Sequence, residues 1–398
     1  MKIILVSQEY PPETGWGGIG TYTYHLAHGL AAHGHQVRVL SLAPDGQRRE
    51  YQDGAVCVRR VANDHWLSGV RLPRLTALAQ VAGWSFTLRR EINTWLEEEP
   101  ADVIEAPLWN AEVFAYGLRP RTPYAIRAET PHTVYARVNG FDRRWWALNL
   151  KGLIQLEKLA AQRAPRLIAI SKAVARTIEQ DYGVDTERIR ICHLGLPLPD
   201  RRPPTEQRPD QHGIHYLFVG RLEARKGIDL VFEAIPMVLA ALPGARFHIV
   251  GKDSPMPGRG TTYGEHFRAA NEPRVIAATT LLGHVDDELL QTLYQTCDIF
   301  VAPSRYESFG LVHLEAMSYG KPVVACATGA TPEIVVSGQS GILVHPDSKA
   351  LAQALIDLGR DRQLRAQMGQ AGLERMRIQF SVEAMVRSTL EIYRELVP

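Results

Sequence analysis

The sequence predicts an α/β fold of two doubly wound parallel-sheet domains, and three observations carry the prediction. Apolar runs of strand length alternate with amphipathic stretches from one end of the 398-residue chain to the other. That rhythm belongs to a parallel sheet covered by helices on both faces. It breaks once, at residues 196–212, where Pro197, Pro199, Pro203, Pro204 and Pro209 stand among few apolar residues, the composition of a linker. The chain is also longer than the roughly 250–300 residues over which a single hydrophobic core keeps growing.

In order along the chain, residues 2–7, 36–42, 102–105, 124–129 and 166–171 read as short buried strands, and residues 21–33, 75–99 and 172–181 as helices. After the linker a second series begins, with strands at 214–219, 246–250, 275–282, 299–302, 322–325 and 341–344. Helices at 229–241 and 286–296 separate them, and helical segments at 348–358, 361–377 and 382–396 close the chain. The expected division is 1–195 and 213–375, joined by the linker, with 376–398 returning as a helix to pack on the first domain. Ligands of doubly wound sheets bind outside the carboxyl ends of the strands, so the loops after strands are where chemistry is expected, in a cleft between the domains.

Composition narrows the function classes. Hydrophobic residues make up 45% and charged residues 22%, ordinary globular values. With 45 basic against 43 acidic side chains the net charge is +2, too small for nucleic-acid binding driven by global charge. No apolar run approaches the roughly 18 residues of a membrane span. Ile3–Val6 meets Ser7-Gln8-Glu9 and reads as a first strand rather than a signal peptide. Cys57, Cys192, Cys297 and Cys326 form no CxxC pair, which excludes a zinc ribbon or thioredoxin-like motif and favours a reducing cytoplasm.

Three segments carry candidate chemistry. Gly15, Gly17 and Gly20 match G-x-G-x-x-G in letter. The dinucleotide fingerprint fails on context, because Pro11-Pro12-Glu13-Thr14 separate the glycines from the strand and no acidic residue ends strand two. What remains is a glycine-rich loop capping a helix, either a backbone approach to a phosphate or sugar or a merely flexible loop. In Gly220-Arg221-Leu222-Glu223-Ala224-Arg225-Lys226-Gly227, directly after a strand, Arg221 and Lys226 make either a diphosphate clamp beside a helix N-terminus or a solvated basic surface. After strand 299–302, Glu307 and Glu315 are eight residues apart, which over helical rise would be roughly 12 Å, the span from a hexose to the ribose of a sugar nucleotide. Glu315 lies among Leu311, Val312, Leu314, Ala316 and Met317, and a carboxylate in such a setting needs a partner.

These motifs, with Leu26-Ala27, Leu30 and His33-Gly34-His35-x-Val37-x-Val39, occur in the order and at the spacing of one family. The chain resembles retaining glycosyltransferases of the GT-B fold, family 4, over nearly its whole length. The resemblance implies that Arg221 and Lys226 bind the donor diphosphate. Glu307 with the Phe309-Gly310-Leu311 backbone would hold the transferred sugar and its phosphate, and Glu315 the ribose. Gly283-His284-Val285 would frame the nucleobase, Gly17 and Gly18 would approach the donor phosphate, and His132, in Thr130-Pro131-His132-Thr133, would stand near the reacting sugar. One departure is His193-Leu194-Gly195-Leu196-Pro197, where the family often has Asn-Gly-Ile/Val-Asp. The loop 252–263 is longer than a minimal connection and receives no role.

The expected reaction is transfer of a hexose from a nucleoside-diphosphate sugar to an acceptor hydroxyl with retention, serving polysaccharide or glycolipid synthesis. No D-x-D triad occurs, so the cationic pair and helix N-termini are expected to neutralise the leaving group with neither metal nor cofactor. A same-fold epimerase or phosphorylase, or a non-catalytic sugar-nucleotide-binding protein, is the alternative. Residues 137–166 hold Arg137, Arg143, Arg144, Lys151, Lys158, Arg163 and Arg166 against Asp142 and Glu157, with Trp145 and Trp146 adjoining. That stretch is either a core helix with solvated charges or a peripheral contact with anionic membrane.

Overall fold

The computed structural model describes residues 1–14, 17–71, 75–139, 144–199 and 213–397. Gly15 and linker residues 200–212 lie outside the described residues, as do 140–143 and the side chains of Trp145 and Trp146 in the basic stretch. The chain divides into two units, Met1–Pro197 with Ser381–Pro398, and Leu198–Phe380.

The first unit holds β1 (Lys2–Val6), β2 (Gln36–Leu42), β3 (Arg49–Asp53), β4 (Val56–Val61), β5 (Val103–Pro107), β6 (Tyr124–Ala128), β7 (Arg166–Ala169) and β8 (Ile189–Ile191). They form one sheet in the order β3-β4-β2-β1-β5-β6-β7-β8. Every pairing is parallel except β3 with β4. Ile3, Ile4, Val39, Val103, Ile104, Leu167 and Ile168 are fully buried, as a sheet covered on both faces requires. The hairpin β3–β4 was not expected. As an edge strand, β3 (Arg-Glu-Tyr-Gln-Asp) alternates partly buried and exposed positions with no apolar face. Asp53-Gly54, with Gly54 at φ +60°, was the available turn signal.

The second unit holds β9 (His215–Val219), β10 (Arg246–Val250), β11 (Thr279–Gly283), β12 (Ile299–Ala302), β13 (Val323–Cys326) and β14 (Gly341–Val344). Its sheet is parallel throughout, in the order β11-β10-β9-β12-β13-β14. One expected strand is corrected. Residues 275–282 are not continuous, because Pro273 at the first turn starts a helix over Pro273–Ala277 after extended Glu272, and the strand begins only at Thr279.

The returning segment opens at Ser381 rather than at residue 376, since the helix Arg362–Gln379 runs on and buries Met376 in the second unit. Ser381 caps the helix Val382–Arg394 by accepting from the Ala384 amide. This helix lies on the helix Gly18–Ala32, close enough that a Cβ on Gly29 would stand 2.6 Å from Val386 and 2.7 Å from Val382. A buried polar cluster ties it down. Arg127 forks onto Glu105 at 2.7 and 3.1 Å and donates to Thr389 at 3.0 Å, while the Tyr393 hydroxyl donates to Glu105 at 2.9 Å.

Candidate active site

In each sheet the strand order reverses at one point, between β9 and β12 in the second unit and between β1 and β5 in the first. At such points the loops leaving neighbouring strands part and a ligand can enter. Arg221, Lys226 and Glu307 fall on the loops after β9 and β12, and Gly17 and Gly18 at the end of the loop after β1, whereas His132 follows β6 and Gly283-His284-Val285 stand at the end of β11.

In the second unit, β9 leads into Gly220 and Arg221, and β12 into Pro303 and Ser304. Gly227 presses the two loops together. It adopts φ +72°, and a Cβ there would meet the Pro303 carbonyl at 2.1 Å, so only glycine fits. Arg305 adds a fork onto Asp229 at 2.7 and 2.6 Å. The outcome is an ion pair between Lys226 Nζ and Glu307 Oε1 at 2.6 Å, with the Ser304 hydroxyl donating to the same oxygen at 2.7 Å. Burial alone would raise the Glu307 pKa. Lys226, aided by His313 and Arg225, outweighs it and holds the carboxyl down at about 2. Among the described residues Lys226 uses one of its three donors, on Glu307, which leaves two for a ligand. Arg221 is different: its side chain is 62% exposed and only leans on Glu223 at 3.4 Å.

Glu307 lies outside the helix, which runs over Leu311–Ser318 only, so the two glutamates are not joined by helical rise. Gly310 makes the helix entry in the left-handed region at φ +94°, turning the first helical amides toward the loop. Phe309 is buried against Phe380. Glu315 is half-buried and accepts from the Tyr294 hydroxyl at 2.6 Å, and Tyr319 stacks on Tyr294. Burial raises the Glu315 pKa against the pull of that hydrogen bond. At the end of β11, Gly283 takes φ +67°, and His284 after it is exposed. Sequence reasoning missed His313. It is fully buried beneath Gly310, its Nδ1 has no hydrogen-bond partner among the described residues, and burial lowers its pKa to about 4, so it is neutral at pH 7. Its imidazole among apolar neighbours was the only signal.

In the first unit, His132 opens the helix His132–Asn139 after β6. It is buried and stacks on Trp109, which follows β5, with ring centroids 4.1 Å apart. His132 Nδ1 is hydrogen-bonded to Glu157, whose second oxygen accepts from the Tyr182 hydroxyl at 2.5 Å and from the His132 amide at 3.0 Å. Donation from Nδ1 to the carboxylate leaves Nε2 as the acceptor nitrogen. Beside Trp109 the backbone is left-handed at Asn110 and Ala111 (φ 59° and 48°), a strained pair of the kind that functional loops retain. Glu129 receives the Tyr22 hydroxyl at 2.8 Å, and burial raises its carboxyl to about 8. Glu112, also buried, accepts from the Gln8 amide and is likewise raised to about 8. Gly17 is the cap and Gly18 the first residue of the helix Gly18–Ala32, and the Glu9 carboxylate, from the chain before the helix, faces its first turn 3.4 Å from the Gly20 amide. Trp109, Glu129 and Glu157 were not singled out, because nothing in their local sequence marks them.

Two parallel-sheet α/β domains with these loops at their switch points define the GT-B class. Residues 16–199 match the family described as Glycosyltransferase Family 4, and residues 204–375 the family described as Glycosyl transferases group 1. The chain therefore carries a glycosyltransferase family 4-like domain followed by a group 1 domain. A glycogen synthase of Mycobacterium tuberculosis is 29% identical over 99% of this chain and 94% of its own. Among solved structures, a sucrose-phosphate synthase from Thermosynechococcus elongatus superposes with a TM-score of 0.77 at 22% identity, over 99% of this chain and 98% of its own. Anabaena HepE in complex with UDP-glucose does so with a TM-score of 0.70 at 19% identity, over the full length of both chains.

Proposed function

We propose that the protein is a retaining glycosyltransferase that moves a hexose from a nucleoside-diphosphate sugar to an acceptor hydroxyl in the cytoplasm, without an obligatory metal or cofactor. The observation that carries this reading is the Lys226–Glu307 pair at the β9/β12 switch point, beside the N-terminus of the helix Leu311–Ser318. An ammonium with spare donors, the exposed Arg221 guanidinium and helical amides suit a diphosphate leaving group. A carboxylate held ionised at about pH 2 and above suits the hydroxyls of the transferred sugar. Glu315, braced by Tyr294, suits the ribose, and Gly283-His284-Val285 the base. The relatives are glycosyltransferases by name, and one neighbour was solved with UDP-glucose.

In the reaction, the bond from the anomeric carbon to the diphosphate oxygen breaks through an oxocarbenium-like state. Arg221 and Lys226 stabilise the charge that develops on the leaving oxygen. The acceptor hydroxyl attacks the same face, and its proton passes to a phosphate oxygen. His132, oriented by Glu157, offers Nε2 to a hydroxyl of the reacting sugar.

The test is a thermal-shift screen of UDP-, GDP- and ADP-sugars, since a ligand of the native state raises its apparent stability. Turnover with the donor so found, in EDTA, should follow, and product NMR should show the donor's anomeric configuration. An inverted product, or turnover abolished by EDTA and restored by magnesium or manganese, would overturn the mechanism. Products formed from donor alone would favour the epimerase or phosphorylase reading.

A peripheral contact with anionic membrane through residues 137–166 belongs to this reading, and the 3₁₀ turn Trp66–Gly69 is a second candidate for it. Trp66 is 73% exposed, and exposed Arg71 and Leu75 follow. The turn packs on the helix Thr76–Glu98, whose Leu78 touches Gly152 of the basic helix Arg144–Arg163. Among the described residues no helix is long and apolar enough to cross a membrane.

A further inference from the structure

The hairpin β3–β4 extends the first sheet, yet its charged side chains converge on the stem of the glycine-rich loop. Arg60, on β4, is fully buried. Its guanidinium donates to the carbonyls of Tyr10 at 2.8 Å, Pro11 at 3.4 Å and Leu42 at 3.2 Å, and to the Tyr51 hydroxyl at 3.1 Å. Its Nε stands 3.2 Å from Glu13 Oε1, and Arg49, on β3, pairs with Oε2 of the same carboxylate. Asp53, the last residue of β3, accepts from the Tyr10 hydroxyl at 2.9 Å and pairs at 3.0 Å with His28, on the helix that the loop leads into. The Tyr10 carbonyl also accepts from the Thr14 hydroxyl at 2.8 Å, closing the stem on itself.

A buried guanidinium is tolerated only while its donors and its charge are met. Half of what meets them here is the stem, two carbonyls and the Glu13 carboxylate, and the rest is Leu42, Tyr51 and Ser41. If the stem withdrew, Arg60 would lose those partners. The stem and the hairpin therefore hold each other in place, and the first turn of the helix Gly18–Ala32 is presented from a fixed base.

We propose that the hairpin β3–β4 is a positioning brace for the glycine-rich loop, with Arg60 and Glu13 as its positioning residues. The functional half of the proposal rests on the donor-phosphate role given above to Gly17 and Gly18; the mechanical half does not. In the folded full-length protein, Glu13→Gln removes the shared charge at a partly exposed site, and Arg60→Lys keeps a charge but loses the fork.

Hydrogen exchange read by mass spectrometry should show the amides of residues 17–24 exchanging roughly tenfold faster in both variants. Exchange across the second unit should be unchanged. The KM for the donor found in the screen should rise by a similar factor with kcat little changed, as expected when positioning for binding is lost. In the double variant Glu13→Gln/Arg49→Gln the amides of residues 17–24 should exchange no faster than in Glu13→Gln alone, because Arg49 meets the stem through Glu13, while its contacts with Asp45 and the Gln47 carbonyl lie outside the stem. Arg121→Gln, at an ion pair with Glu97 exposed on both sides, is the control and should move neither readout. Parental exchange at residues 17–24 in Glu13→Gln overturns the brace, even where Arg60→Lys fails to fold. Faster exchange with a parental donor KM leaves the brace standing and overturns the donor-phosphate role of Gly17 and Gly18.

Discussion

Arg221 and Lys226 are five residues apart in the chain but stand in different electrostatic settings. Lys226 compensates the buried Glu307 charge, whereas the Arg221 side chain is 62% exposed. Lys226→Ala should therefore cost about 3 kcal/mol or more of stability, the usual consequence of stranding a buried charge. Arg221→Ala should stay within about 0.5 kcal/mol. Both should weaken donor binding, each by about 1.5–3 kcal/mol, the worth of a charge-assisted contact. Denaturant melts separate the first effect and calorimetry measures the second. Equal stability losses would refute the division of labour. Glu129 makes a second residue-level claim. Burial raises its carboxyl from 4.5 to about 8, so the folded state holds this proton more tightly than the unfolded chain does. That contribution is fully present below pH 4.5 and is lost as pH rises through about 8. Glu129→Gln imitates the protonated side chain, so its melting temperature relative to the parent should climb between about pH 5 and about pH 9. A flat difference would mean the carboxyl titrates normally.

At the scale of elements, close packing sets the terms. Gly29 lets the helix Val382–Arg394 lie directly on the helix Gly18–Ala32. Gly29→Ala puts a methyl carbon where Val382 and Val386 already are, and overpacking of this kind costs roughly 1–3 kcal/mol. The urea midpoint should fall with the slope unchanged; an unaltered midpoint would show that the two helices part freely. The same scale shows why some elements were legible in the sequence and others not. β1, β9 and β12 are buried on both faces and read as apolar runs bounded by polar loops. The edge strand β3 carries no such run, and Pro273 converts the start of an apolar run into a helix.

At the scale of the whole chain, the last helix belongs with the first unit although the second unit precedes it, and the Glu105–Arg127–Thr389–Tyr393 cluster explains why. A buried Arg–Glu pair needs further hydrogen bonds to offset its desolvation, and Thr389 and Tyr393 supply them. The surface makes its own prediction. Exposed Trp66 and Leu75, with exposed Arg71 between them in the chain, should bind phosphatidylglycerol vesicles at low salt and release them as ionic strength rises, because such attraction is screened. Co-sedimentation reads this, and Trp66→Ala should weaken it. Protein that remains in the supernatant at low salt would assign these side chains to another role and favour a soluble acceptor.

Local sequence by itself determined the parallel sheets and the placement of Arg221, Lys226, His132 and Glu307 just after strands. Period, run length and loop-after-strand order all act within a few residues of each other. Tertiary structure alone decided what those residues are chemically. Glu307 is an anion because Lys226, 81 positions away, meets it in a buried setting. His132 is oriented by Glu157, 25 positions on, and Glu105 is satisfied by Tyr393 across 288 positions. Charge state and orientation follow from desolvation and from whichever groups converge in space, and neither depends on separation along the chain.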